Sequence, residues 1–153
     1  MVTDGRHDLG KGLDVGTSFV RSAEKHGQQV VFGSVRNAFI DIEQQGFTEA
    51  TLTRAQVQYV KSGDQLYIMG TDTMVFANIF NKEARRPLSS GIISPSEKEA
   101  LPMIEMIFNG ILGKSQTDGE PLYYSIPGPP LDAEANLLYH EKTLQGMLQK
   151  LGY

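Results

Sequence analysis

Between residues 13 and 35, three short runs rich in valine and phenylalanine follow one another: LDVG, TSFVRSAE and QQVVFGSV. Glycine-containing turns at Gly16 and at His26-Gly27 separate them. Strand-like runs divided by so few residues predict an antiparallel meander at the head of the chain. Alternation continues in AFIDIE and in the pair QVQYVKSG and QLYIMG, where Ser62, Gly63 and Asp64 supply a tight hairpin turn.

The period then changes. TDTMVFANIFNKE reads as a short helix with Thr71 or Asp72 near its cap, and RRPLSSGII as an irregular connection. SPSEKEALPMIEMIFNGILG reads as a helix, with Ser94 as cap, Pro95 in the first turn and Glu97 at capping-box spacing. Leu101, Ile104, Ile107, Phe108 and Ile111 recur at three and four, which predicts one buried face. PLYYSIPGPP is an apolar run stopped by prolines, in which Tyr123 and Tyr124 are expected to pack a central strand. A last helix opens near Asp132, carries Leu137, Leu138, Leu144, Met147, Leu148 and Leu151 as its stripe, and stops at Gly152. The expected fold class is mixed α/β, with the last strand-to-helix step part of a parallel crossover.

At 153 residues the chain fits one domain that builds a core without staples. A mobile lead at residues 1–8 is expected before a single domain at 9–153. Net charge is −4, with no block of either sign, which argues against a nucleic-acid footprint. The absence of cysteine removes disulfides, thiolate metal sites and cysteine nucleophiles together. No window approaches the roughly 18 apolar residues of a membrane helix. A soluble, cytoplasmic chain is the expectation.

The chemistry concentrates where LDVG meets TSFVRSA. A turn through Gly16, Thr17 and Ser18 can aim backbone N–H groups and two hydroxyls at an anion. Asp14 can hold Mg²⁺ or its waters, and Arg21 on the outgoing strand can reach the same charge. The competing reading is a hairpin whose aspartate and hydroxyls merely satisfy the turn.

Longer context favours the phosphate. LDVGTSFVRSA resembles the first phosphate loop of the superfamily of actins, sugar kinases and heat-shock chaperone ATPases: a hydrophobic strand, D-x-G-[TS], then an antiparallel strand. GDQLYIMGTDTMVFANIFNKEARRPLSSGIIS is similar to the actin-homologue segment of strand, glycine, helix and basic-proline-leucine. YYSIPGPPLDAEANLLYHEKTLQGMLQKLGY is similar to the strand, proline and helix that close the first half of that fold. The resemblance implies a ribonuclease-H-like mixed sheet, one half of the two-domain actin fold. It also implies binding of ATP and Mg, with Asp14 acting on the metal through water, Gly16, Thr17 and Ser18 around the phosphates, and Arg21 beside them. Filament formation and a cytoskeletal role are implied for a complete protein.

The second phosphate loop and the adenosine contacts of the family have no counterpart here. Asp118-Gly119 lacks the strand before it and the hydroxyl after it. The chain alone is therefore expected to be inert as an ATPase, with turnover only when a second half completes the cleft. The alternative function is a non-catalytic interaction module that binds protein partners or itself, and a sugar or acetate kinase relative ranks last.

Other polar residues carry plainer expectations. His7, His26 and His140 lack ligand-spaced partners, and His140 is assigned to a helix surface. Asp41 and Glu43 fit the polar side of a half-buried strand, and Arg85-Arg86 a solvated loop. Met103, Met106 and Phe108 are expected in the core.

Overall fold

The computed structural model describes residues 10–126 and 137–153. The lead at 1–8 and the helix opening near Asp132 lie outside the described residues. The elements run β1 (Lys11–Val15), β2 (Phe19–His26), β3 (Gln29–Arg36), β4 (Phe39–Glu43), α1 (Gly46–Arg54), β5 (Tyr59–Ser62) and β6 (Gln65–Met69). A single 3-10 turn leads into α2 (Thr73–Ile79), followed by β7 (Leu88–Ser89), β8 (Ile92–Ile93), α3 (Ala100–Leu112), β9 (Leu122–Ser125) and α4 (Leu137–Lys150).

The expected meander is present, and it forms most of a mixed sheet. β1, β2 and β3 pair antiparallel, and β9 lies parallel to β1 in the order β3-β2-β1-β9. Parallel pairing requires a crossover, which α3 and its flanks provide. One face of this sheet is apolar. Leu13, Val15 and Val20 pack there with Leu88, with Ile104, Ile107, Phe108 and Leu112 of α3, and with Leu144, Met147 and Leu148 of α4. Gly33 permits the close approach of α3, since a Cβ there would lie 3.2 Å from Ile111 and 2.5 Å from the Ser22 hydroxyl.

The fourth run leaves that sheet. β4 pairs with β6, and β6 with β5, in a separate three-stranded sheet whose core is Ile40, Ile42, Leu52, Val57, Leu66, Ile68 and Ala77. The hairpin at Ser62 to Gln65 closes as expected, with Gly63 at φ +58°. α1 supplies Leu52 and the buried Thr48 to this second core, and sequence periodicity did not reveal it. Its one strongly apolar outward residue, Phe47, is exposed and blurs the pattern.

Several expectations need correcting. α3 begins at Ala100, not after Ser94, with Glu99 at the cap position and no side-chain cap bond. The Glu97 carboxylate is instead taken by Arg85, whose Nε and Nη2 donate to it at 2.8 and 2.7 Å. Pro102 then falls in the first turn, where its missing N–H costs nothing. Arg85 is accordingly not a solvated loop residue: it also donates to Asp41, stacks 4.6 Å from the Phe39 ring centroid, and its backbone bridges Phe39. Leu101 and Leu138 leave their helices' buried stripes and are exposed. β9 is an edge strand and not a central one, and its side chains alternate between the two faces of the sheet: Tyr123 lies on the open face, exposed to solvent, while Tyr124 packs against the core. His140 is not on a surface: it is 2 % exposed, on the face of α4 that buries Leu144, Met147 and Leu148.

The C-terminal end of α3 is fastened from two directions. Lys11 Nζ donates to the Leu112 carbonyl at 2.9 Å, and the Tyr153 hydroxyl donates to the same oxygen at 3.1 Å. A cation at a helix C-terminus meets carbonyls that have no partner within the helix. Burial by itself would lower the Lys11 pKa, but the Tyr153 phenol, Glu24 and Glu120 outweigh it and the ammonium titrates above its ordinary range.

Candidate functional site

The residues singled out in the sequence meet at one end of β1 and β2. Asp14 and Arg21 are cross-strand partners, because the intervening turn pairs Val15 with Val20 and Asp14 with Arg21. Both side chains point to the face of the sheet opposite α3 and α4. Asp14 Oδ2 lies 3.6 Å from Arg21 Nη1, and Ser125 of β9 donates its hydroxyl to Asp14 Oδ1 at 2.9 Å. The carboxylate is 56 % exposed, so it is oriented by these two groups and still open to a further cation.

The turn itself is tight. Gly16 N–H donates to the Phe19 carbonyl at 3.1 Å, and a Cβ on Gly16 would sit 2.6 Å from that same oxygen. Glycine is needed there for the turn's own closure. No residue of the turn has a left-handed φ, so the alternating φ of an anion nest is absent. The available donors reduce to Thr17 and Ser18, whose N–H groups are used by no hydrogen bond among the described residues.

The back of the turn is held by residues that sequence reasoning missed. Asn37, directly after β3, donates its backbone N–H to the Ser18 carbonyl at 3.0 Å and its carboxamide to the Thr17 carbonyl at 2.6 Å and the Leu88 carbonyl at 2.9 Å. Gly91, between β7 and β8, donates its N–H to Thr17 Oγ1 at 2.8 Å. Accepting that bond leaves the Thr17 hydroxyl proton free to point elsewhere. A polar residue closing a run of alternating strand residues was the available signal for Asn37, and the serine closing YYS the signal for Ser125.

Beside the carboxylate, the open sheet face forms a trough of about 520 Å³ lined by Gly12, Ala23, Phe32, Tyr123 and Ser125 among others. Tyr123, Gly12, Ala23 and Phe32 stand in one register row across the four strands. Two small residues make the floor and two aromatics, 81 % and 76 % exposed, make the walls. Three strand spacings set those walls roughly 14 Å apart at the backbone.

Among the described residues, no group of three or more His, Asp or Glu side chains could hold a metal ion by itself. A hard divalent cation that keeps most of its water needs only one or two carboxylates, which Asp14 satisfies. The free N–H groups of the turn are the donor type a phosphate takes. The residues present therefore fit a hydrated Mg²⁺ with a phosphate group.

Comparison with known proteins bears on the fold. A protein-family model described as Volactin matches residues 9–153. No curated protein matches the sequence. Among solved structures, the MamK double helical filament superposes with a TM-score of 0.58 at 14 % sequence identity, over 94 % of this chain and 38 % of the MamK chain. MamK is an actin-like bacterial filament protein, and the mixed α/β architecture described above is similar to part of its fold. The chain thus spans well under half of that neighbour's length. Among the described residues no helix is long and apolar enough to cross a membrane.

Proposed function

The chain belongs to the Volactin family, and from that membership, its actin-like fold and the β1–β2 turn we propose that it is the nucleotide-binding half of a filament-forming, actin-like protein. The observation that carries this is the pairing of an oriented, open carboxylate at Asp14 with a turn whose Thr17 and Ser18 N–H groups are unspent among the described residues. Asp14 would hold Mg²⁺ through its waters, the turn would take phosphate oxygens, and Arg21 would add charge beside them. When bound, the metal supplies charge neutralisation of the phosphates. This chain's own residues bind and orient, and turnover is assigned to a cleft completed by further protein.

Mg-ATP titration calorimetry tests the reading. Binding that Asp14→Ala abolishes supports it, and binding untouched by Asp14→Ala sinks it. Sedimentation with and without Mg-ATP reads out self-association in the same samples.

A second reading, a non-catalytic interaction module in a soluble cytoplasmic protein, draws on the trough of the open sheet face. Exposed Phe32 and Tyr123 over a glycine-alanine floor are an apolar patch of the kind that marks protein contacts. Under this reading, sedimentation changes with Tyr123→Ser and Phe32→Ser and ignores both Mg-ATP and Asp14→Ala.

A further inference from the structure

Asn37 is fully buried, and all three of its hydrogen bonds end on two segments. Its backbone N–H and one carboxamide bond hold Ser18 and Thr17 of the turn, and the other carboxamide bond holds Leu88 of β7. Both carboxamide partners are carbonyl oxygens, so the amide orientation is dictated: Nδ2 must face them. Among the described residues, Oδ1 is left buried with no hydrogen-bond partner. A buried unmatched acceptor is costly, and the fold tolerates it in order to present two donors on the other side. The hairpin β7–β8 grips the same turn a second time, through Gly91 N–H and Thr17 Oγ1. Both carbonyls of the turn's tip are thus bound from behind, which turns the intervening peptide's N–H toward solvent.

We propose that Asn37 is the positioning residue of the anion-binding turn, clasping it to the β7–β8 hairpin so that the Ser18 N–H, which shares a peptide with the Thr17 carbonyl, is set before any phosphate arrives. Asn37 itself touches no ligand. The inference rests on the phosphate reading of the turn, and deepens it by assigning the preorganisation to one side chain. It also makes β7–β8 part of the site, although neither strand lines it.

The test compares the full chain with Asn37→Ala and with Ile68→Val, a control in the three-stranded sheet chosen to lower stability without touching the turn. Two readouts are taken on each: affinity for Mg-ATP by calorimetry, and amide hydrogen exchange in the free protein by NMR. Asn37→Ala is expected to weaken Mg-ATP at least tenfold and to speed exchange at Gly91 and Gly16 at least tenfold, with Ile68→Val leaving both unchanged. Asn37→Ser, whose short hydroxyl cannot span both carbonyls, is read in the same way should the alanine variant fail to fold. Exchange and affinity within twofold of the unsubstituted chain overturn the role of Asn37 alone. An unsubstituted chain silent toward Mg-ATP overturns the phosphate reading, and this proposal with it, whatever the exchange data show.

Discussion

Replacing Arg85 by alanine removes three attachments at once: the fork to Glu97, the bond to Asp41, and the guanidinium over Phe39. The main-chain bridge between residues 39 and 85 survives the change. Glu97 is 11 % exposed and loses its counter-ion, whereas Arg85 is 35 % exposed and partly hydrated already. Removing one partner of a fully buried pair costs about 3–5 kcal/mol. Solvent contact over a third of Arg85 discounts that figure, and lost hydrogen bonds to charged groups and a cation–π contact set a floor, so the expected loss is about 2–3 kcal/mol. Urea unfolding followed by circular dichroism measures it, with Glu97→Gln and the double variant completing a cycle.

The acid limb gives an independent check. Hydrogen bonding from Arg85 comes first among the causes that hold the Glu97 carboxyl below its ordinary 4.5. Since the unfolded chain takes up that proton sooner, the pair's stabilisation is complete at neutral pH and fades as pH falls below about 4.5 and through the lower folded value. Arg85→Ala should flatten that part of the stability profile, and Arg85→Lys should fall between, having charge without the fork. A loss under about 1 kcal/mol, or additive effects in the cycle, would refute the assignment.

Gly16→Ala forces a Cβ to within 2.6 Å of the Phe19 carbonyl, so the turn must open; a loss of about 1–3 kcal/mol in thermal unfolding, with Mg-ATP binding abolished, is expected. His140 accepts the Ile93 N–H on Nδ1 at 3.2 Å, and burial lowers its pKa below 6.5. The unfolded chain therefore binds a proton that the folded chain refuses, and stability should decline as pH drops below about 6.5 toward the folded value. Urea midpoints between pH 8 and 5 should show this slope in the unsubstituted chain and a shallower one in His140→Phe; parallel profiles would discard the buried histidine as its source.

The half of the site made by local pattern was legible. Asp14 and Arg21 had to become cross-strand neighbours once the turn at Gly16 was recognised, because a tight hairpin fixes register. What escaped were the pairings made over distance. Glu97 has capping-box spacing from Ser94, and only a guanidinium twelve residues upstream explains why it declines that role. Asn37 gave no periodic signal, since its meaning lies in two carbonyls, 20 and 51 residues away. His140 stood four positions before Leu144, a spacing that already put it on the buried face, but its polarity masked the signal. β4 continued the alternation of β3 and still changed sheets, which periodicity along a strand cannot reveal.

The pairing of β1 with β9 sets a clock on synthesis. β1 is flanked on one side by its hairpin partner, but Val15 finds Ser125 only across 110 residues. A ribosome adding about 5–20 residues per second needs roughly 5–20 s to make that stretch. For that interval the nascent chain carries a β1 whose second edge has no strand to meet and an apolar face awaiting α3 and α4. Synonymous codon changes that slow translation between residues 16 and 121 would lengthen the exposure, and the yield of soluble chain would fall before any residue of the finished protein had been altered.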